Sequence, residues 1–590
     1  MFFATVFATA AALSQFPQLS DGDRERLLDI RAPRVVASLP GQEAAYTLCR
    51  LADGEFRFYG LQMIGGVQRK AFLRSRNYGL DWKLELAGPD DMQSPMIYIA
   101  ERGVSVGVDR DTRKGPFYCL RLEDGAKRPK RINIPFGLGN FTSIRKLRTR
   151  DRLLVPCTAS VSGRTGMHAG VALSDDFGLT WRQSMAVPNV STGAAPSGRD
   201  ALPRWDNYCC EPSVVELSDG TLWMVVRTSF DHPYSYISRD GGDSWEGPSE
   251  MSAFWQSNTM PDMIRLADGR LLFLWNNTQS MPRLGAEALS ELRKWEKDSR
   301  CEAAFTNRDV LHAAISEDEG RTWIGFREFA LNPLRNATDF RRAQAAPFSF
   351  MLDKSVHQSQ AMELGGGKVL VAAGQHDALA RMYIFDVAWL YEKGRFEDFG
   401  SGLDNVTHHL FVKSLQGSSA RGRVGHCALN RMPGVVMARP PDTEESTRRE
   451  AAWLVKTDDP RVIWNNPGLA WNFPAARRGS LEIACRVEGE GFRLGLADHW
   501  INPSDPFAEE SCVVSAQMVP GKVGAGWTVV VVSWDCDAGK ATVKCATGAE
   551  ETLSMRFVPE YGPSYLHIQT LAKGLDLRGT YFKSFKMEPW

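Results

Sequence analysis

Glu211 and Arg227 stand 16 residues apart, at the two ends of the run EPSVVELSDGTLWMVVR. A carboxylate and a guanidinium at paired strand ends can divide proton transfer and anion binding between them, because the guanidinium fork matches a carboxylate bidentately. Arg308 lies eight residues before the string SEDEGRTW and brings a second fork. Other polar groups fall at comparable points: His357 with Gln358, then Gln375, His376 and Asp377, and also Asp231 with His232, Asp206, and Asp90 with Asp91. Glu211, Asp231 and His357 are the candidate catalytic groups. Arg227, Arg308, Gln358, His376 and Asp206 are the candidate ligand-binding groups. Two arginines beside a carboxylate suit an anionic sugar.

These residues need a scaffold, and an internal repeat supplies it. The pattern S-x-D-x-G-x-T-W occurs as Ser174–Trp181, Ser238–Trp245 and Ser316–Trp323, with a weaker copy at Ser75–Trp82. It has the chemistry of a tight turn. The Asp or Asn side chain binds turn N–H groups, Gly takes the dihedral others avoid, and Trp plugs the space between strands. Upstream of each copy an apolar run, a Gly turn and a second apolar run read as a hairpin, from Tyr46, Glu211, Met260 and His357. Hairpin plus turn makes a four-stranded sheet, the blade of a propeller. Six blades are expected, centred near residues 46–82, 92–124, 140–181, 211–245, 260–323 and 357–392, the last ending in the strand Phe385–Leu390.

In such blades the tight turns share one face. The opposite face gathers the starts of strands one and three and the end of strand two. All the candidate residues above fall there, on the face where binding loops usually lie.

The turn string resembles the Asp-box of sialidases and their BNR-repeat relatives, over roughly residues 40–392. The resemblance implies an all-β, six-bladed propeller over residues 30–398. It makes Arg227 and Arg308 members of an arginine triad that grips a substrate carboxylate, and Glu211 the carboxylate beside the nucleophile. Three departures follow. Tyr46-Thr47-Leu48-Cys49 stands where the first triad arginine belongs, Gln358 where the nucleophilic tyrosine belongs, and Gly60–Arg69 holds no clear acid.

Residues 400–590 lack the box and read as short alternating strands, an antiparallel sandwich of jelly-roll or lectin type carrying no catalytic residue. Met1–Phe16 is apolar with small residues, so residues 1–20 are read as a secretory leader and the protein as secreted or periplasmic. Charge is balanced, 70 basic against 70 acidic residues, so no bulk field favours nucleic acid. No apolar run reaches membrane-spanning length. Eleven cysteines show no metal-type spacing, so they read as buried thiols with room for a disulfide or two. No metal or cofactor is expected. Three functions fit: an exo-acting glycoside hydrolase on a sialic, ulosonic or uronic acid; a polysaccharide lyase in which His357 or His376 abstracts a proton; and a glycan-binding propeller without turnover.

Overall fold

A computed structural model describes residues 16–590 apart from 17, 40–47, 65–66, 89–93, 111–114, 165, 191–208, 229, 258, 279–309, 332–355, 375–379, 409–433, 442–449, 459–465 and 505–507. Among the described residues, six four-stranded antiparallel sheets lie between residues 34 and 386. Blade one runs Leu48–Arg50, Phe56–Ile64, Val67–Ser75, Lys83–Leu86. Blade two is Met96–Ile99 to Lys130–Asn133, and blade three is Arg145–Lys146 to Arg182–Met185. Blade four runs Cys210–Glu216, Leu222–Arg227, Tyr234–Ser238, Glu246–Glu250. Blade five runs Asp262–Arg265, Leu271–Trp275, Val310–Ser316, Ile324–Leu331.

Apolar side chains join the sheets into a ring. Tyr59 and Phe72 of blade one meet Met96 of blade two, and Val106 of blade two packs with Val155 of blade three. Val171 and Met224, Val225 and Phe273, and Leu274 and Val371 carry the packing on to blade six. Leu370 and Met382 of blade six then share a core with Leu48 and Phe56, which closes the circle. The first strands of blades one and two, of blades four and five, and of blades five and six touch, which sets these strands toward the axis.

Blade six differs from the expectation. Its strands in chain order are Gln360–Gly365, Lys368–Ala373 and Arg381–Asp386, and the chain then turns into a 3-10 helix, Val387–Tyr391. Asp386 starts that helix by accepting the Ala388 N–H at 2.8 Å. The fourth strand is Arg34–Ser38, paired with Arg381–Ile384. Joining both ends of the ring's sequence in one sheet makes closure a long-range contact.

The same corner holds the start of the described chain. Residues 1–15, most of the proposed leader, lie outside the described residues, but Phe16 and Leu19 are buried between blades six and one, with Phe16 edge-on to Tyr78 at 5.0 Å. A helix, Asp21–Asp29, follows, N-capped by Ser20. Lys368, almost fully buried, reaches the helix's C-terminal end. Its ammonium donates to the carbonyls of Leu28 (3.2 Å) and Ile30 and pairs with Asp386 at 3.1 Å. A cation there complements the helix dipole. Lys368→Met is expected to destabilise the protein by about 3 kcal/mol, read from denaturant midpoints, because it leaves Asp386 and two carbonyls without their cation.

All four boxes share the serine and Asp or Asn bonds, and three of them add a bond from the tryptophan, Trp245 Nε1 having no acceptor among the described residues. In Ser174–Trp181 the serine hydroxyl donates to Asp176 (2.9 Å) and accepts from Gly178 N (2.8 Å). Asp176 accepts from Thr180 N (2.8 Å), and Trp181 Nε1 donates to Gly178 O (3.2 Å). Asn77 replaces the aspartate in the weak copy and still accepts Asp81 N at 3.0 Å. Glycine is required twice over at Gly320. Its φ is +83°, and a Cβ would come within 2.3 Å of the Trp223 ring of the preceding blade.

Beyond the ring, two antiparallel sheets face each other. The larger has eight strands and includes Arg395–Glu397, so the chain enters it before residue 400. The smaller has four: Gly468–Asn472, Tyr565–Thr570, Phe492–Ala497 and Val514–Met518. Trp471, Phe492 and Leu566 of the smaller sheet share one core with Ile483, Val532 and Phe585 of the larger. Trp500 and Trp534 are buried. The contact with blade five is buried and mixed: Val310 shares an apolar cluster with Ala470, Trp500 and Ile501, and polar groups bond beside it. Tyr565 OH bonds His312 Nε2 (2.5 Å) and Glu328 (2.9 Å), and Asn472 donates to Phe326 O at 3.0 Å. Burial, with His499 nearby, pushes His312 down to about 3, so it is a neutral hydrogen-bonding group. The nine described cysteines are buried and none is disulfide-bonded, and no described helix is long and apolar enough to cross a membrane.

Candidate functional site

The hairpin turns and boxes lie together, so Glu211 at the first residues of blade four and Arg227 at the end of its second strand share the opposite face. The pairing of these strands is broken between Cys210 and Ser213, and Glu211 sits in that bulge with φ +47°. The bulge turns its side chain onto Arg227, whose Nη1 donates to Glu211 Oε2 at 2.6 Å. Both side chains are largely buried. From blade six, Gln358 Nε2 approaches Glu211 Oε1 at 3.4 Å, and from the approach to blade three Asn140 Nδ2 does the same at 3.4 Å. Gln358 also has a left-handed backbone, φ +57°. Side chains seldom adopt that conformation without compensation, and it concentrates at functional sites.

Burial alone would raise the Glu211 carboxyl. The charge and hydrogen bond of Arg227, the nearby His357 and the Gln358 amide outweigh it and hold the group below the usual carboxylate range. Glu211 is therefore an ionised carboxylate in a half-closed setting, where it can accept a proton but has none to give.

The structure thus brings Glu211, Arg227 and Gln358 into one cluster, with His357 in electrostatic reach. Asp231 is buried in the loop after Arg227, where its carbonyl accepts Gln256 N at 2.6 Å; His232 follows it and is also buried. Arg308, His376, Asp206, Gln375, Asp377, Asp90 and Asp91 lie outside the described residues, as does the helix expected at Gly285–Lys297.

Two residues escaped the sequence reading. Asn140 sits in a loop with no repeat signal. Asp262 opens blade five, and its Oδ2 accepts the Ala361 N–H of blade six at 2.8 Å. Burial pushes its carboxyl up to about 7, opposed by Arg145 and by that N–H. A signal existed. Counted back from the hairpin leucine, Ser213, Asp262 and Gln360 hold the same place in EPSVVEL, MPDMIRL and QSQAMEL. All three accept an N–H from the next blade: Ser213 from Met263 (2.9 Å), Asp262 from Ala361, and Gln360 from Leu48 (2.8 Å). A run of side-chain-to-backbone bonds that links blades four, five, six and one is the common role, and Asp262 is its ionisable member.

No curated protein is similar in sequence to the chain. Solved structures that resemble it include Trypanosoma rangeli sialidase in complex with 2,3-difluorosialic acid. That pair is 12% identical, covers 95% of this chain and 94% of that one, and has a TM-score of 0.35. Penicillium chrysogenum α-L-arabinanase complexed with arabinobiose is 12% identical over 61% of this chain and 99% of that one, TM-score 0.36. A Dyadobacter fermentans protein of unknown function is 16% identical over 60% and 97%, TM-score 0.36. Scores this low add nothing to what the six sheets show by themselves. In sequence, the BNR repeat-like domain matches residues 131–337, the stretch that carries three of the four boxes. Residues 131–337 are thus similar to the BNR repeat-like domain, set within a ring of six four-stranded sheets.

Proposed function

We propose that the protein is a glycan-acting hydrolase that removes an acidic sugar from a glycan end by direct attack of water. The observation that carries this reading is Glu211, ionised, largely buried and held by Arg227 with an amide, Gln358, at its other oxygen. Glu211 takes a proton from the attacking water as general base, a role typically contributing about a hundredfold or more. Gln358 has no nucleophilic oxygen, so no covalent glycosyl-enzyme forms there. Arg227, with Arg308, meets the sugar carboxylate. Asp231, four residues past Arg227, is the candidate acid for the leaving oxygen.

The test is a panel of glycan fragments ending in sialic, ulosonic and uronic acids, with the first-formed anomer read by NMR. Cleavage of an acidic terminus with inversion is expected, since one-step attack by water inverts. No cleavage by folded protein, or retention of configuration, would sink the reading. His357 beside Glu211 supports a second reading, a lyase acting on a uronate. Its signature is an unsaturated product absorbing in the ultraviolet.

A further inference from the structure

Four side-chain amides on the open face of blades four to six keep their nitrogen occupied and their oxygen idle. Asn276 Nδ2 donates to Val310 O (2.6 Å) and Val356 O (2.9 Å). Asn277 Nδ2 donates to Asp498 O at 2.9 Å, Gln256 Nε2 to Thr259 O at 2.5 Å, and Gln358 Nε2 to Glu211 at 3.4 Å. Every partner is an oxygen that only accepts, so none of these amides can be turned round. Their four carbonyl oxygens are buried and meet no donor among the described residues. His499 of the sandwich behaves in the same way. Its Nδ1 is held by Asp498 at 2.7 Å, so in the neutral ring Nε2 is an acceptor, and it too is buried without a donor among the described residues. Folded proteins leave few such groups, and an unmet acceptor commonly awaits a ligand or water.

These atoms belong to one contiguous seam. Trp255 stacks between His232 (4.8 Å) and His499 (4.2 Å) and donates to Asp498 at 3.1 Å. Gln256 N bonds Asp231 O, and Trp500 N bonds Asn277 O at 2.9 Å. Asn276 grips Val356, the residue before His357 and Gln358. The seam therefore starts at the Glu211 cluster and ends on the sandwich.

We propose that this seam is a subsite for the hydroxyl-rich part of the same ligand, with Gln256, Asn276, Asn277, Gln358 and the sandwich's His499 accepting hydrogen bonds from sugar hydroxyls. The inference rests on the functional reading above and deepens it. A row of acceptors repels a carboxylate and welcomes donors, so the acidic end of the sugar is directed to Arg227 and the polyol portion to the seam. It also gives the sandwich a share in recognition, through a histidine that nothing in the sequence singles out.

The probe is N-acetylneuraminic acid, titrated calorimetrically into the full-length protein alongside its periodate-shortened, borohydride-reduced analogue, which keeps the carboxylate and loses two hydroxyl-bearing carbons. His499→Phe keeps the ring stacked on Trp255 and Gln256→Met keeps the side-chain length. Each is expected to bind the intact sugar at least fivefold more weakly than wild type, with an unchanged melting temperature. The shortened analogue is expected to bind wild type at least fivefold more weakly too. Wild-type affinity in both variants overturns the subsite and leaves the seam to water alone. Should either variant fail to fold, the shortened analogue decides on wild type, and undiminished affinity overturns the proposal. If wild type binds neither N-acetylneuraminic acid nor a uronic or ulosonic acid, the functional reading itself falls, and the subsite with it.

Discussion

Arg227→Met is expected to cost about 3 kcal/mol of stability at neutral pH and to lower turnover at least a hundredfold. Arg227 holds Glu211 at 2.6 Å, and both side chains are largely buried. Removing one partner of a buried ion pair leaves the other charged and desolvated, which ordinarily costs about 3–5 kcal/mol. The pH dependence follows from the direction in which the native protein moves the carboxyl. Glu211 lies below its usual range there, so its pairing stabilises the fold above that range and the contribution is lost as pH falls through it. In the variant, burial acts without the arginine and the carboxyl rises. The deficit is therefore largest at neutral pH and shrinks in acid, where Glu211 takes up its proton. Residual activity should show its acid limb moved to higher pH, because a general base must be ionised. Glu211→Gln separates the two effects. It removes the base but not the shape, so it should lose turnover with less than about 1 kcal/mol of destabilisation, whereas Gln358→Ala should change turnover modestly. Denaturant unfolding at pH 5 and pH 8 with parallel rate profiles decides. An Arg227→Met protein as stable as wild type at pH 8 would show that the pair contributes nothing.

What was legible in the chain was whatever recurs in it. The boxes could be read because each is a local device whose serine, Asp or Asn, and glycine bond within the turn. Their position determined which end of each strand faces the open side, and with it the meeting of Glu211, Arg227 and Gln358 from two blades. The fourth strand of blade six was not legible. Arg34–Ser38 carries no box and no hairpin, and its partner, Arg381–Ile384, lies at the far end of the ring's sequence, so nothing local announces it. The seam was missed for a related reason. Asn276, Asn277 and His499 are ordinary polar residues in sequence. Only the folded chain shows that they are buried with acceptors unmet among the described residues.

Asp262→Asn is expected to stabilise the protein, and more strongly as pH rises. Asp262 occupies the place that Ser213 and Gln360 fill in the neighbouring blades, and those uncharged groups make the same bond to the next blade's N–H. A carboxylate is not needed for that bond. Its charge is opposed by burial, which raises the group from 3.8 to about 7 even with Arg145 nearby. Arg145 of blade three favours the charged form, as does the Ala361 N–H of blade six, and burial still outweighs both. Between the usual carboxylate range and about pH 7, the folded chain keeps a proton that the unfolded chain has released. Stability must therefore fall as pH rises through that window, and level off above it. Over the whole window the loss is on the order of 4 kcal/mol, since each pH unit between the unfolded and folded values contributes about 1.36 kcal/mol. Asparagine keeps an acceptor for Ala361 and has no proton to lose, so the variant should escape the slope. The measurement is the difference in unfolding free energy between variant and wild type at pH 4.5, 6 and 8, which cancels every other titrating group. It should grow across the series by a few kcal/mol. A difference that stays flat would mean that Asp262 titrates in its ordinary range. The ring would then tolerate a full negative charge at Asp262, and the buried surroundings of that side chain would have to be wet.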